Sequence, residues 1–242
     1  MVARVDQATD PQVREDLALV RLGTAYYRRV LDSLTDAALD GPTLLPGWTR
    51  RHLTAHVGYN ARALARLVEW AASGEENPMY PSPGARNEEI ELGATLNPAA
   101  LRNLSEHAAI DLDVRWRDLP ADRWAFEVVT AQGRTVPVAE TVWMRSREVW
   151  LHAVDLDAGG RLADVPTPVL QRLLADIVGA WTRRGEIDGL VVETDGGRRL
   201  GDVDAASPAV VSGPLVDVVG WATGRSVPRA GDKSRPVAPR WI

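Results

Sequence analysis

The chain of 242 residues carries 28 Lys plus Arg against 33 Asp plus Glu, a formal net charge of −5, with 45% hydrophobic and 25% charged residues. This is an ordinary globular composition, without the dense basic surface that coating nucleic acid demands. Cysteine is absent, which excludes disulfides, thiolate-ligated zinc, iron–sulfur clusters and a nucleophilic thiol of the chain's own. No apolar run is long enough for a transmembrane helix. The opening MVARVDQATDP has no apolar signal core, so a cytoplasmic location is expected.

Residues 12–35 place Val13, Leu17, Val20, Leu22, Tyr27, Val30, Leu31 and Leu34 at a rough 3.6-residue period, which predicts an amphipathic helix. The turn-rich GPTLLPGWT follows, with Thr49 as a natural N-cap for a second helix over about 50–72. Gly74 is a suitable stop. Residues 75–98 form a long polar link with four prolines, with a short turn expected around Glu88–Leu92. A third helix is predicted over 98–118, with Pro98 in its first turn. A β-hairpin is predicted over 124–138 across Gln132-Gly133, and a fourth helix over 138–157.

The segment GGRLADVPTP at 159–168 is the expected boundary. Beyond it the pattern gives a helix at 168–184, strands at 189–194, 198–204 and 208–212, a short helix at 214–223 and an irregular tail. The expected fold class is α+β. A four-helix bundle with a short hairpin occupies residues 1–160, and a smaller α/β domain occupies 161–242.

The four histidines are His52, His56, His107 and His152. His52 and His56 share one face of the second helix at i and i+4, as Glu148 and His152 do on the fourth. Facing bundle helices are where such pairs converge on a metal. Two or three His plus a carboxylate suit zinc with a position left open, and non-haem iron uses the same set. A lone Glu-x-x-x-His is common on helices, and His107 in NLSEHAAI reads as a bystander. Glu148 lies among Val142, Trp143, Val149, Trp150, Leu151 and Val154, where a carboxylate must bind a metal or pair with an arginine such as Arg145 or Arg147. Arg86, in the long link, suits a carboxylate substrate. No G-x-G-x-x-G, Walker loop or G-x-S-x-G occurs.

The stretches LLPGWTRRHLTAHVGYNA, NPMYPSPGARNEEI, LNPAALRNL, TAQGRTVPVAETVWMRSREVWLHAVDL and VVSGPL resemble the mycothiol-dependent maleylpyruvate isomerases of actinobacteria, within the wider DinB-like group. The likeness is strong over roughly residues 15–160 and looser beyond. It implies a DinB-like bundle that binds a divalent metal, zinc or a similar ion, on His52, Glu148 and His152, with His56 a neighbour. It also implies substrate-binding arginines at Arg86 and, on the weaker C-terminal match, Arg225. No residue is assigned to mycothiol.

The implied chemistry is the cis–trans isomerisation of maleylpyruvate to fumarylpyruvate in gentisate breakdown. A thiolate adds to the conjugated double bond, the resulting single bond rotates, and the thiolate leaves. A chain without cysteine must borrow that thiol, and mycothiol is the thiol of the resembled family. The expected partners are therefore a small dicarboxylate and mycothiol, with no nucleic acid, membrane or obligate protein partner. A mycothiol S-transferase acting on another electrophile, or a DinB-like binding module without catalysis, are the competing readings.

Overall fold

The structure, a computed structural model, describes residues 5–225 and 236–241. The chain divides into two compact units, residues 1–161 and 162–242. In the first, helix α1 spans Pro11–Asp32 and opens on Asp10, whose carboxylate accepts from the Gln12 amide at 2.7 Å. Helix α2 spans Arg50–Ser73 and ends at Gly74, which takes the left-handed conformation with φ 81°. Helix α4 covers Pro98–Asp118, capped by Asn97, and α5 covers Glu140–Asp155.

These four helices form the bundle: α1 packs on α5, α5 on α2, and α2 on α4. Their inward stripes supply the core, with Leu17, Leu53, Leu64, Leu101 and Val149 all completely buried. Strands β1 (Glu127–Val129) and β2 (Thr135–Pro137) pair antiparallel as the expected hairpin, with Gly133 at φ 74° in its turn.

The link between α2 and α4 differs from expectation. Instead of a loop with one short turn, it contains a ten-residue helix, α3 (Ala85–Ala94). Its polar sequence hides the helix, because only Ala85, Ile90 and Gly93 are buried. Gly93 makes the docking on α2 possible: a Cβ there would lie 2.7 Å from both Ala55 Cβ and Tyr59 Cε2.

Arg50, at the start of α2, binds the far end of α5. Its guanidinium donates to Leu156 O at 2.6 Å, Asp157 O at 2.8 Å and Ala38 O at 3.0 Å. The first residue of α2 and the last turn of α5 are thereby held in one register.

In the second unit, α6 (Thr167–Arg183) precedes a three-stranded sheet of order β4-β3-β5. Strand β3 (Leu190–Thr194) runs antiparallel to β4 (Arg199–Gly201) and parallel to β5 (Ala209–Gly213). Helix α7 (Leu215–Ala222) follows, and Trp181 of α6 meets Trp221 of α7 edge to face at 5.6 Å. The α+β class is the one read from the sequence. Of the tail expected to be irregular, residues 226–235 and 242 lie outside the described residues, and 236–241 form no helix or strand. No helix among the described residues is long and apolar enough to cross a membrane.

Replacing Gly93 by valine forces α3 off α2. Such overpacking lowers stability by about 1–3 kcal/mol, read as a reduced urea midpoint against an unchanged slope.

Candidate metal centre

Helices α2 and α5 bring His56, Glu148 and His152 together, with one ligand atom of each within 4.8 Å of the others. Both imidazoles turn Nε2 toward the same carboxylate oxygen. His56 donates to Glu148 Oε2 at 2.8 Å and His152 donates to it at 3.1 Å. The rings stand 5.0 Å apart at 80°. The indole of Trp48, in the turn before α2, meets the His56 ring edge to face at 5.4 Å.

The far nitrogens are also occupied. His152 Nδ1 donates to Asp155 Oδ2 at 2.8 Å, and that carboxylate is fully buried. Arg86 Nη2 lies 3.4 Å from His56 Nδ1, which accepts from it. Arg86 thus belongs to the first turn of α3, not to a loop, and its guanidinium borders the triad.

The protonation pattern follows from these contacts. For His56, burial outweighs the attraction of Glu148 and lowers the pKa, so the ring is neutral. Burial also works against charge on His152, but bonds to Asp155 and Glu148 prevail and raise its pKa. Burial alone would raise Glu148; the two imidazoles override it and hold the carboxyl well below its usual range. Burial pushes the Tyr80 phenol, which feels both Arg86 and Glu148, up to about 12, so it stays protonated.

The donor set fits a divalent ion. Ligand bonds of about 2.0–2.1 Å in a tetrahedron put ligand atoms about 3.3 Å apart, close to the 2.8 and 3.1 Å found here. The His152–Asp155 bond is the carboxylate–imidazole pairing that fixes the tautomer and orientation of a metal-ligating histidine. Two imidazoles and one carboxylate leave coordination positions open for an exogenous ligand.

His52, expected among the ligands, is not gathered with Glu148 and His152. Its Nδ1 accepts from the Thr49 amide at 3.3 Å and lies 2.7 Å from the Thr49 hydroxyl, closing a capping box at the start of α2. That leaves the proton on Nε2, which faces Glu91 at 3.6 Å. The neighbour one turn on, His56, takes the central place. His107 sits exposed on α4.

Arg145, one of the two arginines offered as an alternative partner for Glu148, feels its charge but does not bond to it; its Nη1 donates to Val57 O at 2.6 Å and to Asn60 Oδ1 at 3.0 Å. Asp155 and Tyr80 were missed by sequence reasoning. The His-x-x-Asp spacing at 152 and 155 was the available signal for the first; nothing in the spacing marks Tyr80. Arg225 follows α7 in the second unit and donates to Thr223 O at 2.9 Å.

The sequence model described as the mycothiol maleylpyruvate isomerase N-terminal domain matches residues 20–157, more than half of the chain. A crystal structure described as the mycothiol-dependent maleylpyruvate isomerase is similar at 50% identity, with a TM-score of 0.89, over 95% of this chain and 97% of that one. A histidine-to-alanine variant of such an isomerase is similar at 49% identity, again with a TM-score of 0.89 and the same coverage. No curated protein matches the chain.

The His152–Asp155 contact yields a direct test. In metal-free protein, Asp155→Asn lowers the His152 pKa, because the charge that holds its proton is gone. Two-dimensional NMR titration of the ring resonances reads the shift, and an unmoved midpoint would contradict the assigned pairing.

Proposed function

Because the chain belongs to the mycothiol maleylpyruvate isomerase family, we infer that it catalyses the mycothiol-dependent cis–trans isomerisation of maleylpyruvate to fumarylpyruvate. The observation that carries this reading is the convergence of His56 and His152 on Glu148 in a chain without cysteine. A divalent metal bound there, zinc by ligand type, supplies the positive charge that keeps a thiol deprotonated, and mycothiol supplies the sulfur that the chain lacks.

The chain's own residues do the rest. His56 Nε2, His152 Nε2 and a Glu148 oxygen are the metal ligands we propose, with His56 in the place that the family resemblance implied for His52. Asp155 keeps His152 Nδ1 protonated and so leaves Nε2 free to bind the ion. Arg86, fixed at the mouth of the triad by α3, offers a planar fork to a substrate carboxylate. The same charge offsets the negative charge that spreads onto the substrate's carbonyl during addition.

For Arg225 the family resemblance alone supports a role in substrate binding. A cytoplasmic setting goes with a reaction that depends on a free, reduced low-molecular-weight thiol.

Turnover of maleylpyruvate by metal-loaded protein, followed by absorbance with and without mycothiol, tests the activity; thiol-dependent turnover is expected, and its absence would refute the reading. His56→Ala abolishes both metal content and turnover. His52→Ala keeps the metal and loses only about 0.5–1 kcal/mol of stability, from the opened cap; metal analysis of the purified variants separates the two. Asp155→Asn weakens metal binding by about 10–100-fold, read by chelator competition.

A further inference from the structure

Away from the triad, the first unit holds a cavity of about 450 Å³ between α1 and α4, within the range of roughly 300–1,000 Å³ typical of small-molecule sites. α1 packs on α5 and α4 packs on α2, so α1 and α4 stand as the two open edges of the bundle. They are joined across the rim by ion pairs: Arg21 with Asp113 at 2.6 Å and Arg28 with Glu106 at 2.7 Å. Arg102 of α4 reaches α1 through Leu31 O at 2.8 Å and Leu34 O at 2.6 Å. The rim arginines therefore have their partners. The walls are apolar, and include Val20, Ala25, Ala109, Leu112 and Trp116.

Two other lining residues are unlike the rest. Arg145 is 2% exposed, yet its hydrogen bonds are to the neutral acceptors Val57 O and Asn60 Oδ1, both through Nη1. Among the described residues no carboxylate forms an ion pair with it. Burial lowers its pKa to about 10, so it remains a cation at neutral pH. The Tyr27 hydroxyl is buried beside Thr54, but no hydrogen bond of good geometry holds it; Thr54 gives its own proton to Arg50 O. Arg145 and Tyr27 feel one another's charge. A buried cation that feels the Glu148 charge only at a distance, with no carboxylate in direct contact, and a buried hydroxyl without a well-formed hydrogen bond are each costly. One bound anion would relieve both.

We propose that this cavity is a binding site for a small monocarboxylate with a compact apolar body, the carboxylate accepting from Arg145 and Tyr27 and the body lying against Val20, Ala109, Leu112 and Trp116. The ligand is singly charged because only one lining cation lacks an ionic partner, and a second carboxylate would be buried against apolar walls. This separates it from the dicarboxylate of the catalytic reading. The site also adjoins the triad through the backbone: Arg145 precedes Glu148 by less than one turn of α5, and Val57, which accepts from Arg145, follows His56.

Benzoate is the probe, with isothermal calorimetry on the metal-loaded full chain. Saturable binding is expected, and the uncharged isostere benzamide binds at least about tenfold more weakly, the loss expected for a charge-assisted hydrogen bond. Ala109→Trp fills the cavity without touching a charge and weakens benzoate by a similar factor, while Arg86→Ala leaves it unchanged. Arg145→Met abolishes binding where the variant folds; Tyr27→Phe, which removes only an oxygen, weakens it and covers the case where it does not. Absence of saturable binding, insensitivity to Ala109→Trp, or loss on Arg86→Ala would each overturn the proposal. The last outcome would place benzoate at the triad instead.

Discussion

One ionised carboxyl group inside the bundle organises the first unit. Glu148 lies between Val149 and Arg147 on a helix whose other residues mostly face the core. Its side chain is 23% exposed, and an unaccompanied carboxylate so placed would still be costly. Two imidazoles from different helices meet it, and each is in turn held from behind, His152 by Asp155 and His56 by Arg86. Outward from this carboxylate, one branch runs through a protonated imidazole to a second carboxylate, and the other through a neutral imidazole to a guanidinium. Such a chain keeps Nε2 of both rings aimed at one point, which is what binding a cation requires.

Much of this was legible in the sequence, because the bundle obeys local rules. Helix α2 begins after Thr49 and stops at Gly74, and Pro98 stands in the first turn of α4, as the sequence signals indicate. The hairpin and the small sheet followed from alternation and turn residues. Helix α3 escaped because it buries so little of itself that no periodic stripe survives, and the prolines ahead of it read as loop.

The choice between His52 and His56 turned on depth along the helix, to which an i, i+4 pattern is blind. Both lie on one face, but His52 is at the third position of α2, where a side chain folds back on the cap. His56 is one turn deeper, flanked by the fully buried Ala55 and Val57. The Thr-x-x-His spacing was the available clue. Arg145, one of two arginines that could have paired with Glu148 in place of a metal, goes elsewhere for a related reason. Charge complementarity favoured Glu148, while the geometry of α5 against α2 delivered its guanidinium to Val57 O and Asn60.

Arginine serves this protein as a binder of main chain as much as of acids. Arg50 grips three carbonyl oxygens, at Ala38, Leu156 and Asp157, and a lysine could not span them with one planar fork. The constraint it imposes is lopsided. Every residue has a carbonyl, so the three acceptor positions are at liberty to vary in side chain without loosening the clamp, whereas the donor position has no substitute. Evolutionary drift near this joint should fall on the acceptor side and spare the arginine.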